Sequence, residues 1–236
     1  MKTFTLGIAR LAGLLYLVII GCDIGAKLGL RGPLIDLADA QATRAAILDA
    51  PIRFRAALTA DMVMVAADIG LAVLLYTLFR PVGSGLALAA MVFRLMQTAL
   101  IGASLLFMQA VWLIVSQSAN VASPVIGDPA AFATFLLDMH AHGYDLGLAF
   151  FSVNCMLTGI LIRRSGFFPK LLGTTIALAG GVYLIGSALR FFTPQALNTF
   201  GAFYVVSLIA ETAFCLWLLF ARNSARLANQ VERTPS

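Results

Sequence analysis

Residues Ala56–Phe79 read AALTADMVMVAADIGLAVLLYTLF, a run of 24 residues with only two charges, Asp61 and Asp68, closed by Arg80-Pro81-Val82-Gly83. About 20 mostly apolar residues suffice for a helix to cross the roughly 30 Å hydrocarbon layer of a bilayer. Five further stretches pass the same test: Leu6–Ala26, Leu86–Val115, Phe132–Ile162, Leu171–Phe192 and Phe200–Ala221. The composition agrees, because 61% of the 236 residues are hydrophobic and 11% charged, against about 25% charged in a soluble domain. A water-soluble domain is excluded. With 20 Gly and 8 Pro at a mean hydropathy of +0.93, so is a low-complexity chain. The expected fold class is all-α: a polytopic membrane protein with six transmembrane helices in one bundle over residues 1–222, followed by a disordered cytoplasmic tail over 223–236.

The connections carry the remaining topology. In the long loop Lys27–Arg55, Asp39 is placed to cap a short amphipathic helix that ends before Pro51 and lies along the outer surface. An even number of spans puts both termini on one side. Placing the N-terminus inside leaves nine basic residues on the cytoplasmic side (Lys2, Arg10, Arg80, Arg163, Arg164, Lys170, Arg222, Arg226, Arg233) and six outside (Lys27, Arg31, Arg44, Arg53, Arg55, Arg190). Cytoplasmic loops retain Lys and Arg, so both termini are expected in the cytoplasm. The net charge of +5 sits mostly at the ends of apolar runs, where it meets lipid headgroups; the bilayer is the expected partner and nucleic acid is not.

Three cysteines, Cys22, Cys155 and Cys215, lie in or beside apolar runs, and an odd number makes a disulfide framework improbable. Ile19-Ile20-Gly21-Cys22 also resembles a lipoprotein signal in which Cys22 is acylated. The preferred reading is an intact span, with Gly21, Gly25 and Gly29 packed closely on a neighbouring helix.

Charges inside a span are costly and face the bundle interior, so their depth is informative. Counting about 1.5 Å per residue from the cytoplasmic end puts Asp68 at about 18 Å, Arg94 at about 15 Å and Glu211 at about 16 Å, which is the bilayer centre. An arginine there needs counter-charges, and the expectation is a cluster of Arg94 with Asp68 and Glu211. Two acids against one base leave a net negative centre or one protonated carboxyl. Gln97, nearly one turn beyond Arg94, is expected to complete the hydrogen bonding. Such a group either orders the helices or relays a proton or ion.

A second layer lies higher. Asp145 is about 27 Å above Arg163 by the same count, with His142, His140 and Asp138 beyond it, and Asp23, Asp61 and Arg190 fall at that boundary. This predicts an acidic outer vestibule holding both histidines. At about 100° per residue, Asp138, His142 and Asp145 share one helix face while His140, Tyr144, Gly147, Phe151 and Asn154 share nearly the opposite one, so both sets are not expected in one pocket. The Asp138/His142 spacing allows two metal ligands on one face, but no HExxH or CxxC accompanies it, and no metal or other cofactor is expected. The span serines stand singly, and no GxSxG elbow, phosphate loop or dinucleotide fingerprint occurs. The two halves share no matching motif, which speaks against an inverted-repeat transporter.

Ala9-Arg10-Leu11-Ala12-Gly13-Leu14-Leu15-Tyr16, Leu78-Phe79-Arg80-Pro81-Val82, Phe93-Arg94-Leu95-Met96-Gln97 and His140 to Phe151 with Arg164-Ser165-Gly166 resemble the bacterial membrane family known as domain of unknown function 4386. The resemblance covers nearly the whole chain. It implies six spans and a bacterial cytoplasmic (inner) membrane, and it implies no activity. Asp61, Asp68, Arg94 and Glu211 match positions of that family, as does His140, whereas Asn154 stands where a second histidine is common. The leading functional expectation is a protein that handles a small ion, proton or solute along Asp61, Asp145, His140, His142 and Tyr144 to Asp68, Arg94, Gln97 and Glu211. The alternatives are a membrane enzyme with an outer-face His/Asp metal site and a non-catalytic partner subunit.

Overall fold

A computed structural model describes residues 6–116 and 127–220. The tail 223–236, Lys2 and the basic residues Arg222, Arg226 and Arg233 lie outside the described residues. Within them the protein is helical with no strand: α1 (Leu6–Ile24), α2 (Ala40–Asp49), α3 (Pro51–Phe79), α4 (Ser84–Ser116), α5 (Pro129–Ser165), α6 (Lys170–Phe192), the single turn α7 (Leu197–Phe200) and α8 (Tyr204–Phe220). Six helical stretches, those built on α1, α3, α4, α5, α6 and α8, are long and apolar enough to span a membrane.

Local chemistry sets the boundaries. Pro51 and Pro129 occupy first helical positions, where the missing N–H costs nothing. The Asp128 carboxylate accepts from Ala130 N at 3.0 Å, and Asp39 accepts from Ala42 N at 2.9 Å to start α2. The Thr43 hydroxyl and Asp36 backbone exchange hydrogen bonds, tying the loop to that helix. Gly166 ends α5 with φ 73°, a left-handed cap that suits glycine.

The first span runs further than its apolar window. Beyond Ile24 the winding continues as a π-helix over Gly25–Arg31 and a 3-10 turn over Gly32–Leu34. Lys27 and Arg31 close the apolar run in the sequence, yet each finds an acid, Asp23 and Asp61 respectively, so the helix carries them instead of ending at them.

Each span packs on its neighbours in sequence, α1 on α3, α3 on α4, α4 on α5, α5 on α6 and α6 on α8, and α8 returns to α1. The result is an up-and-down ring. One end of the ring carries α2, whose buried Ile47 joins Phe54, Met108, Val111 and Leu137 in an apolar cap over α3, α4 and α5. The opposite end is filled by Phe79, Leu161, Ile162, Phe168, Phe214 and Leu218.

Close approach in the ring uses different glycines from those expected. Gly21, Gly25 and Gly29 have no atom within 4 Å of a would-be Cβ, which corrects the reading of a packed glycine stripe. The tight contacts are Gly13, whose Cβ would sit 2.8 Å from Leu219 N, and the α5–α6 pair Gly159 and Gly173, where each Cβ would come within 2.6 Å of the other's carbonyl oxygen. Lipid tails are as apolar as leucine, so helices in a bilayer associate through such contacts rather than by escaping water. Gly159→Val is expected to destabilise the bundle by about 2 kcal/mol, read as a lower melting temperature in detergent, while Gly21→Ala leaves it unchanged.

Candidate functional site

The interior of the ring holds a cavity of about 710 Å³, reaching from the α2 end down to Asp68, Arg94 and Glu211. Its floor is built around Arg94. Nε and Nη2 of this buried guanidinium donate to Asp68 Oδ1 at 2.8 and 2.5 Å, and the Thr98 hydroxyl donates to Asp68 Oδ2. Both carboxylate oxygens are thereby occupied by charge-assisted or hydroxyl donors, the arrangement that makes a buried ion pair tolerable. The guanidinium also lies 5.3 Å from the Tyr16 ring centroid and 5.2 Å from that of Phe151, within cation–π range.

Glu211 occupies the same floor with other partners. Tyr16 donates its hydroxyl to Oε2 at 2.9 Å and Tyr183 donates to Oε1. Among the described residues no ion pair joins Glu211 to Arg94; the two meet through Tyr16, whose ring faces the cation and whose hydroxyl holds the acid. The expected three-charge cluster is corrected to an ion pair and a tyrosine-held carboxyl side by side. Gln97 is not the residue that completes the hydrogen bonding. Thr98, one position on, reaches Asp68, while Gln97 lines the cavity with its Oε1 unpartnered.

The walls nearer the α2 end are charged but balanced. Asp23 pairs with Lys27 at 2.9 Å and accepts the Tyr144 hydroxyl at 2.7 Å. Asp145 pairs with Arg190 Nε at 2.5 Å, and Asp61 with Arg31. The expected acidic vestibule is corrected to a set of ion pairs, because Lys27 and Arg31 are carried into it by the prolonged first helix. Asp61 itself is buried behind Arg31 and does not line the cavity.

The two faces assigned to α5 also need correction. His140, Tyr144, Asp145, Leu148 and Phe151 all line the cavity. Measured at 100° per residue, His140 and Asp145 stand about 140° apart, at the two edges of one broad face centred on Tyr144 and Leu148. His142 falls beyond that edge. Its Nδ1 donates to the Asp138 carbonyl at 2.9 Å, its ring packs edge-on against Phe191, and it does not line the cavity. His140 is anchored differently: Nδ1 lies 3.2 Å from the Ser104 carbonyl, which can only accept, and 3.1 Å from the Ser104 hydroxyl, whose own proton goes to the Ile101 carbonyl, so both contacts place a proton on Nδ1 and, in that tautomer, Nε2 is an acceptor. Asn154 donates to the Ala90 carbonyl at 2.7 Å and ties α5 to α4. Among the described residues no group of three or more His, Cys, Asp or Glu side chains is assembled that could hold a metal ion, so the outer-face His/Asp centre has no geometric basis there.

Tyr16, Tyr183, Thr98 and Arg31 are the site residues missed in the sequence. For the tyrosines a signal existed: tyrosine concentrates at membrane interfaces, and Tyr16 and Tyr183 lie instead in the interior of their spans.

The profile of the family described as Domain of unknown function (DUF4386) matches residues 11–221. The chain belongs to this family. An uncharacterized protein of Archaeoglobus fulgidus is 29% identical over 168 residues, which is 71% of this chain and 83% of that protein. No solved structure matches. The family match and the six apolar helices identify an integral, multi-pass membrane protein.

The Asp68–Arg94 pair is testable by a double-mutant cycle. Arg94→Leu and Asp68→Leu each strand one charge in the bundle and are each expected to cost about 3 kcal/mol. The double variant is expected to lose clearly less than the two together, measured by denaturant titration in micelles; additive losses would show the charges to be uncoupled.

Proposed function

We propose that this protein binds a small solute inside the bilayer, in the cavity of the six-helix ring, together with a proton on Glu211. The observation that carries this reading is the cavity itself, which reaches the middle of the spans and ends on the Asp68–Arg94 pair and Glu211. A bundle whose central charges served only to order its helices would close over them, since packed side chains leave few voids larger than water. Glu211 is the floor acid without a cationic partner at ion-pair distance, so it is the group whose protonation leaves no stranded base behind. Tyr16 and Tyr183 can hold it in either form, because a phenol both donates and accepts. In this reading Asp145, Tyr144 and His140 form the wall along which the solute approaches, Gln97 contacts it, and Asp61, through Arg31, positions the wall. His142 takes no part.

We further propose that residues 6 and 220 face the cytoplasm and that α2 lies on the outer surface of a bacterial or archaeal cytoplasmic membrane. The excess of Lys and Arg on the Arg80 and Arg163–Lys170 side supports this orientation, and the archaeal relative supports the setting.

Two measurements test these readings. In vesicles containing a pH-sensitive dye, one or more members of a panel of amino acids, sugars, amines and short-chain acids should drive proton uptake, and Glu211→Gln should abolish that uptake while the protein stays folded. If neither a member of the panel nor a neutral, bilayer-soluble ligand shifts the melting temperature or the internal pH, the non-catalytic subunit reading takes its place. For topology, Asp36→Cys should react with an impermeant thiol reagent added to intact cells, whereas Gly83→Cys should react only after permeabilisation.

A further inference from the structure

The cavity is sealed unevenly around the ring. Helix α2 caps α3, α4 and α5, and α1 meets α8 closely in the half where Gly13 touches Leu219. In the other half Ile24, Leu28, Val205 and Leu208 line the cavity and are 37%, 74%, 55% and 39% exposed, so they stand at its rim. All four are apolar and lie within membrane-spanning stretches. On the side of the first span, Leu28 lies in the π-helical segment Gly25–Arg31, a winding often found at functional sites, and Ile24 is the residue that precedes it.

Inside the rim the charges are already matched. Lys27, Arg94 and Arg190 each hold an acid of the same cavity, and Glu211 is held by two tyrosines. A charged ligand would have to break one of these pairs. Gln97 differs: the residue is only 8% exposed, it lines the cavity, and its buried Oε1 has no hydrogen-bond partner among the described residues. A buried amide oxygen without a partner is costly, and its complement is a neutral hydrogen-bond donor such as a hydroxyl or an amide N–H. Further up the wall, the Nε2 acceptor of His140 suits a second such donor. The volume of about 710 Å³ exceeds what a water-sized solute needs and lies within the roughly 300–1,000 Å³ of small-molecule sites.

We propose that the slot between the π-helical continuation of α1 and the start of α8 is a lateral portal to the lipid. Through it the cavity takes up a neutral, bilayer-dissolved amphiphile, its hydroxyl or amide head on Gln97 and its apolar body along the portal rim. This inference rests on the solute-binding reading and names the substrate class for that same cavity.

The test uses the full chain in phosphatidylcholine nanodiscs with a monoacylglycerol that carries a photoreactive diazirine in its acyl chain. Irradiation followed by peptide mass spectrometry should find adducts on Ile20, Leu208 and other cavity residues. Excess unlabelled monoacylglycerol should suppress them, whereas glycerol or a fatty acid anion should not. Gln97→Leu should lower cavity labelling about tenfold with Gln97→Asn retaining part of it, and Val205→Trp, which narrows the portal without touching Gln97, should lower it as well. Adducts confined to lipid-facing residues such as Leu106, unchanged in all three variants, would overturn the portal and the ligand class. If, in addition, a water-soluble member of the solute panel stabilises the protein, solute binding stands and only lateral entry falls; if nothing stabilises it, both fall.

Discussion

An arginine buried among apolar, membrane-spanning helices has few places to go. Near a helix end it can snorkel to a headgroup, but Arg94 stands well inside α4, about 15 Å from the nearer end of that helix. Arg94 therefore has to be met inside the protein, and Asp68 on the neighbouring α3 meets it with one carboxylate oxygen while Thr98 takes the other. This single requirement fixes how α3 and α4 are rotated about their axes, since a rotation of either helix by one residue would turn a charge toward lipid. The tyrosine on α1 that faces the cation also holds Glu211 on α8, so the same requirement passes around the ring to the place where it closes.

Pairing governs the rest of the interior as well. Every acid lining the described cavity has a donor, as has Asp61 behind it, and those donors come from a different span in most cases: Tyr144 to Asp23, Arg190 to Asp145, Arg31 to Asp61. In hydrocarbon an ion pair is weak as net stability but strict as a specification, because leaving one member alone costs several kcal/mol whereas forming the pair returns little beyond that cost. The glycine contacts at Gly13, Gly159 and Gly173 do the complementary work of letting backbones touch.

The six spans were legible because hydropathy and length are one-dimensional properties, and so was the short helix after Asp39, because a capping carboxylate acts within three residues. Position along the helices was legible too, since helical rise is constant; Asp68, Arg94 and Glu211, counted to one level, do line one cavity. Azimuth was not. The rise does not say which neighbour Glu211 faces, and two tyrosines hidden in apolar runs claimed it instead of Arg94. The prolonged first helix was missed for a related reason: Lys27 and Arg31 read as a loop when considered by themselves, and only partners from the same and the next span make them helical. His142 was misplaced because a face 140° wide takes in Asp145 and still stops short of it.

The balance of charges also explains why this interior can be open at all. A cavity lined by unpaired ions would either fill with water continuous with the outside or collapse onto its counter-ions. Here the ions are consumed in pairs along the walls, so the free surface that remains is mostly apolar, with the Gln97 amide and the Nε2 edge of His140 as its unclaimed polar groups. Such a surface is closer in character to the lipid than to either aqueous phase. Among the described residues ion pairs join the first span to α3 through Arg31 and Asp61, α3 to α4 through Asp68 and Arg94, and α5 to α6 through Asp145 and Arg190, whereas in the half above Glu211 the first span and α8 share no ion pair and line the cavity with the apolar Ile24, Leu28, Val205 and Leu208.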